Sequence, residues 1–451
     1  MATPSGDSRL PELPIDWDAV EAEAVELLQR YIRVDTTNPP GGEEAGALLL
    51  GEVLRKEGVT PTFYDPGGGR VSICARLPGT NSAGTKPLVL LSHIDVVPVE
   101  RDCWIEDPYG GAVRDGAVWG RGALDMKGMG IMELLVFLLL KRHGVGHRRD
   151  ILYLAVADEE EGSRWGMRWL AENVPELFEV DAVINEGAFG FGELMGVRGL
   201  VFGVATNEKA PLWLRLGYEG RPGHGSVPHR DNAAQHLVEA LARVTSARQR
   251  LVLRPEVAAT LAGLQRAGML PSQLDFRDEG VLAAMAEGSD LVRALVSNTI
   301  SLTSVASGSK QNVIPAQASA TLDCRLLPGE PVETFLSGLR DLIADEGITV
   351  EVVNRIDPLV ADVPTELLEH VEATLRHETQ GGVLLPMMSP GFTDSRFYRE
   401  RGVPAIGFVP VLLDDELLGT VHGHNERISI ENLRLGTRLL LDTVRRVAGP
   451  A

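Results

Sequence analysis

Apolar and polar residues follow one another along this chain in two rhythms. In "DAVEAEAVELLQRYIRV" (18–34) and "MGIMELLVFLLLKRHG" (129–144) the apolar positions recur at helical spacing. "PLVLLSHIDVV" (87–97), "ILYLAVA" (151–157) and "VDAVINE" (180–186) are short apolar runs of the length of buried strands. Such alternation predicts an α/β fold with a mostly parallel sheet, because parallel strands buried on both faces read as continuous apolar runs.

Near Ala210 the texture changes. "PLWLRLGYEG" reads as a strand, "NAAQHLVEALARVT" as a helix, "ASATLDCRLL" as a strand, "PVETFLSGLRDLIADEG" as a helix and "ITVEVVN" as a strand. This is the pattern of a smaller α+β domain. From about Asp357 the first texture returns, with the strand "VPAIGFVPV" and the closing helix "ISIENLRLGTRLLLDTVRRVA". The expected organisation is a catalytic domain in two parts, 1–208 and 357–451, interrupted by an inserted domain, 209–356. Within the insertion, Leu251 to Val296 is helical in pattern and finds no place in a compact sheet-and-helix layer.

A chain of 451 residues is too long for one ordinary core, which agrees with more than one domain. The formal net charge of −20, without any dense basic run, excludes a broad nucleic-acid surface and favours cations as partners. Cys74, Cys103 and Cys324 are odd in number and scattered, so neither a disulfide framework nor a thiolate zinc site is expected and a reducing compartment fits. The opening residues lack a basic start and an apolar centre, and the greasiest run, Ile131 to Leu140, contains Glu133. A cytoplasmic protein without a membrane span is expected.

Loops at the carboxyl ends of parallel strands gather at one edge and form the usual ligand crevice. The residues at those ends are His93, Asp95, Asp158 to Glu161 and Glu186. Four acids in a row ordinarily mean a solvated loop. Crowded into a crevice they repel one another and take up protons unless a cation compensates them. His93 ends a hydrophobic strand, so its imidazole is placed to ligate a metal while Asp95, two residues on, steadies it. Asp125 lies in the glycine-rich turn "GRGALDMKG", where a helix cap is the competing reading. "TVHGHNERISI" offers His422 and His424 with Glu426 beside them. Two imidazoles with three or more carboxylates form a mixed donor set suited to zinc and too nitrogen-rich for an ordinary magnesium or calcium cage. G-x-S-x-G, G-K-[ST], H-E-x-x-H and G-x-G-x-x-G motifs are absent from the sequence.

The segments "SHIDVVPV", "GRGALDMKG", "DEEEGS", "INEGAFG", "RPGHGSVP", "QNVIP", "GFTDSR" and "HGHNE" stand in an order that resembles the dinuclear-zinc peptidases and deacylases. That family includes aminoacylase, acetylornithine deacetylase, succinyl-diaminopimelate desuccinylase and carboxypeptidase S. The resemblance spans nearly the whole chain, and "INEGAFG" is closest to the aminoacylase and carboxypeptidase S style, with Ala188 where a glycine often stands. It implies two Zn2+ ions, with Co2+ or Mn2+ as alternatives. His93 and Glu186 would hold one, Glu160 and His422 the other, and Asp125 would bridge them. His422 is preferred to His424 because it precedes Asn425 by three positions.

By the same resemblance Glu159 is the general base and His224 an oxyanion donor that often crosses a dimer interface. Arg325 and Asn312 recognise a substrate carboxylate, and Gly391 and Thr393 line that pocket. The inserted domain becomes a lid and dimerisation domain. The implied activity is hydrolysis of amide bonds in N-acyl amino acids or short peptides next to a free α-carboxylate, with no nucleic-acid or membrane partner and a possible homodimer. A biosynthetic deacetylase of the acetylornithine type is the alternative enzyme, and a metal- or amino-acid-binding protein the non-enzymatic one.

Overall fold

The computed structural model describes residues 9–80, 82, 84–194 and 197–450. Among them, ten strands form a mixed sheet whose centre is parallel: Ile151–Val156, Leu88–His93, Ala182–Asn185 and Ala405–Gly407 lie side by side. The first two strands are buried at every position, which their unbroken apolar runs require. Helices Lys127–Arg142 and Ile430–Ala448 pack over one face, together with Trp17–Ile32, and bury Tyr31, Phe137 and Leu440 among others. The other face is covered around Leu170, Phe178 and Tyr398.

Register sets up the site. His93 pairs with Val156 across two parallel strands, so the chain after each leaves the sheet at the same edge, roughly one strand spacing apart. Ala182–Asn185 continues the row with Leu90 opposite Ile184, which brings Glu186 out beside them. Three segments far apart in sequence therefore end within a few ångströms of one another.

A second sheet of four antiparallel strands runs in the order Thr299–Ser307, Gln317–Leu326, Ala210–Glu219, Ile348–Arg355. Helices Ala233–Ser246 and Val332–Ile343 bury one of its faces through Leu237, Leu241, Phe335 and Leu339. This is the α+β texture expected of the middle of the chain. Helices Pro255–Arg266, Glu279–Gly288 and Asp290–Val296 account for the segment that had no assigned place. Val257, Leu261, Leu264, Leu282 and Leu295 form a core of their own with Val201, Leu385 and Met387, so this segment packs on the large sheet. No helix among the described residues is long and apolar enough to cross a membrane.

Candidate metal centre

Strand ends and turns deliver the donors. His93 Nε2 lies 3.1 Å from Asp125 Oδ1 and 3.5 Å from Glu186 Oε1. His422 Nε2 lies 3.0 Å from Asp125 Oδ2 and 3.3 Å from Glu160 Oε2. The ligand atoms of His93, Asp125 and Glu186, and of Asp125, Glu160 and His422, each fall within 4.8 Å of one another. Two donor sets thus share one aspartate, each of its oxygens facing a different histidine.

The electrostatics ask for cations. Burial would raise the Asp125 carboxyl, but hydrogen bonds to His422 and His93 outweigh it and hold the group well below the usual range. Burial drives Glu159 and Glu186 far up, reinforced by neighbouring carboxylates, and raises Glu160 as well. Asp125 and Glu160 push His422 to about 11 against its own burial. Glu159 Oε1 and Glu160 Oε1 are buried without a hydrogen-bond partner among the described residues. Surplus negative charge, orphaned carboxylate oxygens and two facing imidazoles together fit a pair of divalent ions with nitrogen and oxygen ligands.

Asp95 does more than steady His93. His93 Nδ1 lies 2.9 Å from the Asp95 carbonyl, whereas the Asp95 carboxylate is 3.6 Å away at Oδ1. An Nδ1–H donating to that carbonyl leaves the Nε2 lone pair facing Asp125. The carboxylate of Asp95 accepts the backbone N–H groups of Glu159 and Glu160, each at 3.1 Å, and Asn38 Nδ2 at 2.9 Å. Asn38 donates also to Asp158 Oδ1 at 3.0 Å. The acid run is therefore a braced turn, entered at Asp158 with φ 69°. His422, with φ 58°, is likewise left-handed, a conformation that costs a non-glycine residue about 1–2 kcal/mol and collects at functional sites.

In the sequence Glu426 is one more acid beside two histidines. It is fully buried, and its carboxylate accepts Arg121 Nη1 at 2.6 Å and the backbone N–H groups of Gly122, Leu124 and Asp125 at 3.1, 2.8 and 3.1 Å. It fixes the glycine-rich turn that presents Asp125. Lys127, also fully buried, donates from Nζ to the carbonyls of Tyr31 and Val34 and ties the following helix to the first, with burial lowering its pKa to about 7. His424 stands at the surface against Glu100, 3.3 Å away, and belongs to neither donor set.

Asp125, Glu159, Glu160, Glu186, His422, Arg325, Gly391 and Thr393 line one cavity of about 700 Å3. Arg325 is held by Asp323 along its Nε–Nη2 edge, at 2.8 and 3.0 Å, and its guanidinium lies over the Phe392 ring. Thr393 Oγ1 donates to Glu208 Oε2 at 2.9 Å, where Arg399 also binds. His224 and Asn312 are not brought to this cavity. They sit together at the surface, His224 in the two-strand ribbon Gly223–His224 and Val313–Ile314 and Asn312 just before its second strand, where the Gly225 N–H donates to the Asn312 carbonyl at 2.8 Å.

A parallel-sheet edge carrying two metal donor sets around one aspartate, opening on a substrate-sized cavity, is the site of a metal-dependent hydrolase. Residues 89–446 match the model of Peptidase family M20/M25/M40, and the chain belongs to that family. It is 30 % identical to the N-fatty-acyl-amino acid synthase/hydrolase PM20D1 of Xenopus tropicalis, over 94 % of this chain and 85 % of that one. It is 30 % identical to human Aminoacylase-1, over 93 % of this chain and 95 % of that one. Its fold is shared with the M20 family metallo-carboxypeptidase Sso-CP2 of Sulfolobus solfataricus at a TM-score of 0.72 and 17 % identity, covering 94 % and 99 % of the two chains.

Proposed function

We propose that this protein is a dinuclear zinc hydrolase of N-acyl amino acids or short peptides, cutting the amide bond next to a free α-carboxylate. The observation that carries the reading is Asp125 shared between the two donor sets, with Glu159 buried beside them and belonging to neither. Ions held by His93, Asp125 and Glu186 and by Asp125, Glu160 and His422 would polarise the amide carbonyl and acidify water. Glu159 Oε1 then accepts a proton from the attacking water and returns it to the leaving nitrogen. Its Oε1, buried without a hydrogen-bond partner among the described residues, is free to take that proton.

Arg325 offers its Nη1 end to the substrate carboxylate, since Asp323 occupies the other edge, with Gly391 and Thr393 closing the same side. His224 and Asn312, side by side at the surface, are assigned to the cavity of a second copy in a homodimer. The exposed edge strand Thr299–Ser307, with Leu302 and Val305 bare, supports such pairing. On this view 209–356 is the lid and dimerisation domain between catalytic parts 1–208 and 357–451. Three free thiols, Cys74, Cys103 and Cys324, support a cytoplasmic setting.

The test is a panel of N-acyl amino acids, N-acetylornithine and dipeptides, each assayed with zinc, cobalt or manganese. Turnover spread over several acyl amino acids or dipeptides supports the reading. Activity confined to the acetylated diamino acid replaces it with the biosynthetic deacetylase, and metal binding without turnover of any substrate replaces it with a binding protein.

A further inference from the structure

A further group of donors comes together away from Asp125. Glu100, Cys103 and His424 each offer one atom, and these three atoms lie within 4.8 Å of one another. Glu100 Oε2 is 3.3 Å from His424 Nε2 and 3.9 Å from Cys103 Sγ, so the carboxylate stands between imidazole and thiol. All three residues are exposed, and none belongs to the two sets that share Asp125. The close cysteine spacing that marks a thiolate site in a sequence is missing, because the imidazole lies 324 positions from Glu100 in the chain.

The backbones that carry these donors are tied to each other by other groups. Cys103 ends the one-turn helix Arg101–Cys103, and its N–H donates to the Glu100 carbonyl at 2.9 Å, which keeps thiol and carboxylate on one turn. Two residues on, the Ile105 N–H donates to Asn425 Oδ1 at 2.7 Å and pins that turn beside His424. Arg121 secures the same junction. Its guanidinium lies over the Trp104 ring, donates to the Gly423 carbonyl at 2.8 Å, and is anchored by the buried Glu426. With both segments already fixed, an ion has only the side chains left to order, and binding costs correspondingly less.

The donors select the ion. A thiolate, an imidazole and one carboxylate suit zinc, leaving a fourth position for water, whereas the sulfur disfavours magnesium and calcium. Thiolate and carboxylate together balance a charge of +2, and the thiol proton passes to solvent as the metal binds. Being exposed, the site lacks the low dielectric around Asp125 and fills after that centre as metal is raised.

We propose that Glu100, Cys103 and His424 form a further metal site, for zinc or another thiophilic divalent cation, separate from the pair around Asp125. The two segments that supply it leave the cavity wall at Val97 and His422, so an ion here staples them together. The proposal does not depend on which bond the enzyme cuts.

Cobalt(II) is the probe. A thiolate ligand gives it an intense charge-transfer absorption in the near ultraviolet that nitrogen and oxygen ligands do not, and the donor sets around Asp125 contain no sulfur. Cys74 and Cys324 are buried, so such a band reports Cys103. Full-length protein titrated with cobalt is expected to develop the band and to lose it in both Cys103→Ser and His424→Ala, each variant binding one cobalt fewer per chain while keeping the ions around Asp125. Zinc at ten times its dissociation constant is expected to slow alkylation of Cys103 by iodoacetamide about tenfold, and magnesium to leave it unchanged. Absence of the band at saturating cobalt, a band that survives Cys103→Ser, or alkylation that zinc does not slow overturns the proposal. So does a band undiminished in His424→Ala, which marks adventitious binding to an exposed thiol.

Discussion

Glu426 accepts the backbone N–H of Asp125 at 3.1 Å, joining two residues 301 positions apart in the chain. The acid ties the one shared donor of the metal centre to the segment that supplies His422, so both sides of the centre depend on it. Replacing Glu426 with Ala strips the acceptor from Arg121 and from three backbone N–H groups. A loss of about 3–5 kcal/mol in stability is expected from the abandoned buried cation, with metal affinity about 10–100-fold weaker in the protein that still folds. Denaturant unfolding and metal titration measure the two effects.

Glu159 has no place in either donor set. Glu159→Gln is therefore expected to retain both metals and lose about 10²–10⁴-fold in kcat, while Glu160→Gln loses metal as well as turnover. Metal analysis beside kinetics distinguishes them. Equal turnover by Glu159→Gln and wild type would remove Glu159 from the role of base.

His236 and Asp345 form an ion pair far from the metal centre, 2.5 Å apart, with Tyr218 stacked on the imidazole. The hydrogen bond that His236 donates to Asp345 raises the His236 pKa; burial would raise that of Asp345, but this bond, the Gly347 N–H and the nearby His236 and Arg243 charges together depress it. A raised imidazole contributes stability that is complete below its unfolded value of ~6.5 and lost as pH climbs through the folded value. A depressed carboxyl contributes above ~3.9 and loses its effect as pH falls through its folded value. The melting-temperature difference between wild type and His236→Gln is therefore expected to peak at about pH 5–6 and shrink on the alkaline side. A difference that grows with rising pH would contradict the pairing.

Residues at the ends of buried runs were legible because the sequence announces them. His93 closes six buried positions and Glu186 follows four, so apolar length marks where the chain leaves the sheet. Asp125 and His422 were found through motif order rather than through periodicity, since each sits in a turn whose shape depends on a remote clamp. That clamp, Glu426, reads locally as one more acid near two histidines; its burial is decided by the glycine-rich turn folding over it, which no neighbouring residue encodes. Asn38, between Asp95 and Asp158, is hidden for the same reason.

The helices between Leu251 and Val296 illustrate the limit from the other direction. Val257, Leu261 and Leu264 recur at helical spacing and foretell a buried face, but their partners Val201 and Leu385 lie on distant strands of the large sheet. Spacing specifies that a face is covered, and only the fold specifies by what. The cavity wall is assembled in the same way from Phe189, Trp213, Leu291 and Met387, four segments with no common motif.

The most direct measurement is anomalous diffraction from crystals grown with zinc, paired with metal analysis of the same protein. Two ions per chain are expected at this centre, about 3.5–4 Å apart, with the Asp125 carboxylate touching both and Glu159 touching neither. A single ion there, or two ions of which only one contacts Asp125, would contradict this.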